Sequence, residues 1–227
     1  MPSTATLLTS LIASASCAFA TPSVTAVKLP SDDCSSWPGY DASTGIAGPW
    51  LVYAVNADNT TIEGFGDTSI YSVKFNPATD HKPTIRWGYL AFPTTNDKAK
   101  QPLRCQNGQL QAYVPTDLTD AGAPTAIEWS ALKISVYPYD ASLLWKVEGQ
   151  SPSIFEHYVD GVKQDGVFLG GYDDSTTWGL KFQAKDNFNS FEDFFYTRLL
   201  GPNSADPTTG APLKQGETTA FIKIAAL

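Results

Sequence analysis

Basic side chains are few in this chain: 15 Lys and Arg stand against 23 Asp and Glu, a formal charge of −8. Nucleic acids and anionic membranes are bound through basic patches, so neither is an expected partner. Histidine is scarcer still. His81 and His157 sit in no H-x-x-x-H or H-x-H spacing, which argues against a zinc site of the usual kind. Also missing are a G-x-S-x-G elbow, a G-x-G-x-x-G helix opening and a Walker-type Gly-Lys-Ser/Thr. Serine-hydrolase, nucleotide and nicotinamide chemistry are therefore not expected, and the residues ask for no metal and no cofactor.

Long apolar runs are lacking too, since a bilayer span takes about 20 strongly apolar residues and nothing after Ala20 approaches that. The first stretch, MPSTATLLTSLIASASCAFA, is small, apolar and free of charged side chains, and it closes with Ala18-Phe19-Ala20, the small-x-small pattern cut by signal peptidase. We read residues 1–20 as a secretory signal and 21–227 as one domain. The expected location is the secretory pathway, either secreted or in a vacuolar or vesicular lumen.

Only three cysteines are present, and Cys17 falls within the signal. Cys34 and Cys105 remain as the only pair. In an oxidising compartment they are expected to bridge, which for a loop of that length stabilises the fold by about 4 kcal/mol in the chain-entropy model. Asn59-Thr60-Thr61 is the only N-x-S/T sequon, so Asn59 is the expected glycan site and lies on the surface.

What the chain does have is strand after strand. Residues 50–57, 69–75, 84–92, 109–114, 132–137, 143–148, 167–169, 178–183 and 219–226 are short, β-branched or aromatic runs, bounded by turn formers such as Asn107-Gly108, Asp160-Gly161, Asp165-Gly166 and Gly170-Gly171. Alternation gives each run a core face: Leu132, Ile134 and Val136; Leu143, Trp145 and Val147; Trp178, Leu180 and Phe182. Lys133, Lys146 and Lys181 fall on the opposite, wet faces. The pattern predicts an all-β antiparallel sandwich or jelly roll, with a closed barrel as the competing architecture. One segment departs from it. In DNFNSFEDFFYTRLL the spacing of Phe188, Phe191, Phe194 and Phe195, after Asn189 or Ser190 as an N-cap, predicts a short helix over about 190–199, packed on the sheet or closing a pocket as a lid.

Acidic residues Glu128, Glu148, Glu156, Asp173, Asp174 and Glu192 supply raw material for a glycosidase pair, but most lie at turns or beside lysines, as solvated surface acids do. His157, in FEHYVDG, reads as an exposed hairpin residue with proton transfer as its alternative role. Aromatics are abundant, with six Trp, ten Tyr and twelve Phe. They suit either platforms that stack sugar rings or an enclosed apolar pocket for a small molecule. In TIRWGYLAFP, strict alternation places Ile85, Trp87 and Tyr89 on one face and Arg86, Gly88 and Leu90 on the other. Gly48-x-Trp50 resembles the opening of the lipocalin pattern, the rest of which is absent.

The segment CSSWPGYDASTGIAGPWLVYAVNADNTTIEGFGDTSIYS, Cys34 to Ser72, preceded by a signal and followed by one further cysteine and an all-β remainder, resembles small secreted fungal proteins. Within that group it is similar to the cofactor-free hetero-Diels-Alderases of tropolone–sesquiterpene pathways. The likeness covers roughly a fifth of the chain and carries no catalytic motif. It implies a reaction that joins a tropolone o-quinone methide to a humulene-type alkene in fungal secondary metabolism, with an apolar aromatic or terpenoid small molecule as partner. Such chemistry needs a pocket that holds both reactants near their reacting geometry and a donor on the tropolone oxygens. On this reading Arg86 and His157 are the catalytic candidates, and Trp87, Tyr89, Tyr137 and Phe194 pack the substrate. A homodimer is compatible with the sequence. The rival is a secreted glycan-binding or cell-wall module with exposed Trp and Tyr.

Overall fold

Two-residue turns set the register of the sheet. Asn107-Gly108 and Asp160-Gly161 all have positive φ (54°, 68°, 49° and 80°), the backbone a tight hairpin needs to match strand twist. In the computed structural model, which describes residues 23–66, 68–75, 84–94, 101–185 and 192–226, sixteen strands follow. They are β1 (Val24–Lys28), β2 (Tyr40–Asp41), β3 (Ile46–Val55), β4 (Ser69–Phe75), β5 (Thr84–Pro93), β6 (Leu103–Gln106), β7 (Gln109–Leu118) and β8 (Pro124–Ser135). The second half holds β9 (Leu143–Trp145), β10 (Gly149–Gln150), β11 (Ser153–Val159), β12 (Val162–Lys163), β13 (Val167–Gly170), β14 (Thr177–Gln183), β15 (Phe194–Leu199) and β16 (Glu217–Ala226).

The expectation of an all-β protein holds, and of the two architectures it is the closed barrel that forms. Nine antiparallel strands run β16–β14–β15–β5–β9–β8–β7–β6–β3, and β3 pairs back onto β16, Val55 opposite Phe221 through Trp50 opposite Ala226. Closure removes the free edges that a sandwich would leave at β3 and β16. β5 makes the joint: β4 takes one edge from Thr84 to Ala91, while the other edge meets β15 at Ala91–Pro93 and then β9 at Gly88–Tyr89. Strands β1, β11 and β13 branch from β16.

Side chains fill the barrel. Trp50, Phe92, Leu103, Val114, Leu132, Trp178 and Ile222 are at most 1% exposed and belong to one cluster. The segment before β2 seals it. Cys34 and Cys105 form the expected disulfide, with Cα atoms 5.6 Å apart; Trp37 stacks on Trp50 at 5.4 Å, and the Trp50 indole donates to the Pro38 carbonyl at 2.7 Å.

Four local expectations need correction. Residues 194–199 are strand, not helix: β15 pairs with β14 on one side and β5 on the other, and two ladders outweigh a local aromatic spacing that also suits helix. The preceding positions 188–191 lie outside the described residues. The strand expected over 132–137 ends at Ser135, leaving Val136 and Tyr137 exposed, and the one expected over 143–148 ends at Trp145 because Lys146 has φ 61°. Phe182, expected in the core with Trp178 and Leu180, is exposed at the strand's end. The signal segment and His81 lie outside the described residues as well.

Candidate functional site

A bulge in β5 decides which side chains meet. Val73 of β4 pairs with Trp87 but the next residue, Lys74, pairs with Ile85, so Arg86 is the inserted position. Strict alternation fails there. Ile85 joins Leu90 and Phe92 in the core, whereas Trp87, Tyr89 and Ala91 turn to the other side of the wall. The expected grouping of Ile85 with Trp87 and Tyr89 is thus replaced by two faces, and Arg86 itself is exposed at the bulge.

On the outer side Trp87, Tyr89 and Ala91 meet Tyr71 and Val73 of β4, Phe194 and Tyr196 of β15 and Leu144 of β9. The rings are in contact: Trp87–Tyr89 at 5.8 Å, Tyr71–Tyr89 stacked at 5.6 Å, Tyr71–Phe194 at 4.9 Å and Tyr89–Tyr196 edge-on at 5.2 Å, all within the range where aromatic pairs attract. Three of the four rings expected to pack substrate, Trp87, Tyr89 and Phe194, are therefore brought together. Tyr89 and Phe194 are fully buried, while Tyr71 and Trp87 are half-buried. Gly88, on the inner side of the strand, leaves the space in which the Trp145 indole crosses β5; a Cβ there would overlap that indole and the Tyr71 carbonyl.

The polar groups of this face are hydroxyls and one carboxylate. Tyr71 donates its hydroxyl to Glu192 Oε1 at 2.7 Å. Burial raises the Tyr89 hydroxyl well above its ordinary pKa, and burial, followed by the nearby Asp140 charge, does the same for Tyr196. Both stay protonated at neutral pH. An aromatic wall with neutral O–H groups and an adjacent arginine can hold a flat, oxygen-bearing apolar molecule.

Other expected site residues lie elsewhere. His157 is buried at 1% exposure rather than exposed on a hairpin. It stacks on Phe168 at 3.8 Å with the planes 4° apart, Phe221 meets it edge-on at 4.6 Å, and neither ring nitrogen has a partner among the described residues. Burial pushes its pKa down to about 4, so the ring is neutral at pH 7. Tyr137 is exposed, 6.0 Å from the Tyr139 ring. Its neighbours Val136 and Pro138 line a pocket of about 180 Å³ together with Tyr172, Asp173, Leu199 and Ser204. Asn59 caps a short 3-10 turn, Thr60–Ile62, its Oδ1 accepting from the Thr61 backbone and hydroxyl at 3.0 and 2.8 Å. Of the acids weighed as a glycosidase pair, Glu156 pairs with Lys163, Asp174 with Lys28 and Glu192 bonds Tyr71.

Sequence reasoning missed two arginines. Arg198 and Glu217 form a buried bidentate pair, each side chain 1% exposed, with N···O distances of 2.7 and 2.6 Å. Gly179 makes room for it, since a Cβ there would strike the Glu217 carboxylate. Arg198 gives its remaining N–H groups to the carbonyls of Tyr139, Ser204 and Pro212. With all five donors used it pins the 200–216 loop and has none left for a ligand. The second, Arg104, stacks over Trp129 on the wall formed by β6, β7 and β8. The Asn107-Gly108 hairpin signal was enough to place a strand before it.

Among the described residues no cluster of three or more His, Cys, Asp or Glu could hold a metal ion, and no helix is long and apolar enough to cross a membrane. The chain matches no protein-family model and no curated protein sequence.

Proposed function

We propose that the outer face built by Tyr71, Trp87, Tyr89, Phe194 and Tyr196 binds an apolar aromatic or terpenoid small molecule, and that the protein is a cofactor-free hetero-Diels-Alderase of the kind its Cys34–Ser72 segment resembles. The convergence of Trp87, Tyr89 and Phe194 carries this reading. The heterodiene of a tropolone o-quinone methide and one alkene of a humulene-type sesquiterpene would form one C–C and one C–O bond, with every atom retained. Half-buried Tyr71 and Trp87 stack the ring system, and Arg86, adjacent at the bulge, donates to the tropolone oxygens as charge builds there. Ordering two reactants beforehand supplies several kcal/mol of the barrier.

The Cys34–Cys105 bridge supports a site of action in the secretory pathway, where Asn59 would carry a glycan. On expression in a yeast host, Asn59→Gln should remove the mass of one glycan without altering ligand binding. For the reaction, metal-stripped protein should accelerate and stereochemically bias the coupling of a tropolone quinone methide to humulene. Arg86→Ala should lower the rate more than the affinity. Products matching the buffer control in rate and stereochemistry would reject the reaction, and failure to bind either reactant would reject the site.

A further inference from the structure

Away from that site, the outer wall of β6, β7 and β8 carries a second constellation. Leu103, Cys105, Leu110, Ala112 and Val114 point into the barrel, so their strand neighbours stand outside. Register sets Arg104 opposite Gln111, Gln111 opposite Ala131, and Tyr113 opposite Trp129. Arg104 donates Nε to Gln111 Oε1 at 2.9 Å and Nη2 to Gln106 Oε1 at 2.6 Å, and its guanidinium lies 4.2 Å from the centre of the Trp129 ring. That leaves three of its five N–H groups without an acceptor among the described residues.

Three features separate this arginine from an ordinary surface cation. No carboxylate among the described residues pairs with it, although the protein carries a net charge of −8. Its geometry is fixed in advance by two amides and an indole, and partial burial lowers its pKa. The outward positions around it on β6 and β7, Gln106, Gln109, Gln111 and Tyr113, and those facing them on β8, Trp129 and Ala131, include no acid. Lys133 adds a second cation on the same side, held to the Ser151 hydroxyl at 2.7 Å. A preorganised guanidinium with free N–H groups is suited to a planar carboxylate.

The aromatic rings narrow the ligand further. Tyr113 is 42% exposed and 5.3 Å from the Trp129 ring, so a flat apolar surface adjoins the cation. Because Gln106 and Gln111 turn their oxygens to Arg104, their amide NH₂ groups are left for other acceptors. A carboxylate, a ring face that stacks on aromatics and several oxygens within reach of amide donors describe one ligand class. We infer that this wall is a binding site for acidic glycans, in which a uronate carboxylate meets Arg104 and its pyranose ring lies against Tyr113. The site is independent of the small-molecule face around Trp87.

The test is calorimetric titration of the full chain with galacturonic acid oligomers, beside their methyl esters, a neutral galactan and dextran sulfate. The oligomers should bind, and methyl esterification or Arg104→Gln should each weaken binding by about tenfold or more, the worth of a charge-assisted hydrogen bond. Arg104→Lys should keep part of the affinity. Tyr113→Ala, at an exposed position that leaves the fold intact, should also weaken it and carries the test should Arg104→Gln fail to fold. Binding of apolar ligands at the Trp87 face should be unchanged throughout, which keeps this inference separable from the proposed activity. No binding of the oligomers, equal binding of the neutral galactan, or equal binding of dextran sulfate with no loss in Tyr113→Ala would overturn it.

Discussion

Inside the barrel, Trp50 and Trp178 are at most 1% exposed and spend their indole hydrogens on the Pro38 and Leu169 carbonyls at 2.7 and 2.9 Å. Outside, Tyr71 and Trp87 pack just as closely on neighbouring rings yet are only half-buried. Both regions are rich in aromatics, but Trp50 and Trp178 are sealed in, whereas Tyr71 and Trp87 are half-buried. Barrels of similar strand number can hold a ligand in the lumen. Here the lumen is occupied by side chains, and recognition moves to the outer wall, where a bulge in β5 turns Trp87 and Tyr89 away from the core. Aromatic abundance in a sequence therefore has two separable uses, and substitution should tell them apart.

The largest effect is expected inside. Trp178→Ala should cost about 3–5 kcal/mol in urea unfolding while leaving ligand affinity unchanged in protein that remains folded. An affinity loss out of proportion to unfolding would mean that the lumen takes part in binding. Replacing Cys34 and Cys105 with serine should cost about 4 kcal/mol, because the bridge fixes the segment that seals the barrel beneath Trp37. A titratable thiol in unreduced, unfolded native protein would contradict the pairing.

His157 sharpens the comparison from the outer wall. Its folded pKa lies below its unfolded value, so the unfolded state binds a proton that the native state refuses. Its stabilisation should be complete above about pH 6.5 and be lost as the pH falls towards about 4, roughly 3 kcal/mol in all. His157→Phe should flatten the stability profile across that window, and a profile unchanged by the substitution would show that the ring is not buried neutral. Smallest in stability is Trp87→Phe, about 1 kcal/mol or less for a half-buried ring.

How much of this was readable in advance depended on the range of the interactions involved. The strand over Ser69–Phe75, the Asn107-Gly108 turn and the Cys34–Cys105 pair rest on local patterns and a count of two, and all three stand in the structure. Phe194–Leu199 was missed because its aromatic spacing suits a helix as well as a strand, and only pairing with β14 and β5 decides between them. The bulge at Arg86 leaves no trace in alternation. It appears only when β4 lies alongside. His157 sits beside charged Glu156 in a segment that looks wet, and becomes buried through Phe168 of the neighbouring strand β13 and Phe221, far along the chain. Within the candidate site, Trp87 and Tyr89 were legible as aromatics of one strand and Phe194 only as part of a supposed helix; their meeting follows from β15 docking on β5.

The central claim is that ligand binds outside the wall, against Trp87. Intrinsic tryptophan fluorescence of the folded protein, titrated with a tropolone, tests it most directly when native protein is compared with Trp87→Phe. The account predicts saturable quenching in the native protein that is largely lost in the variant, with the interior Trp50 and Trp178 signal unmoved. Quenching of equal size and midpoint in Trp87→Phe would place the ligand elsewhere and contradict it.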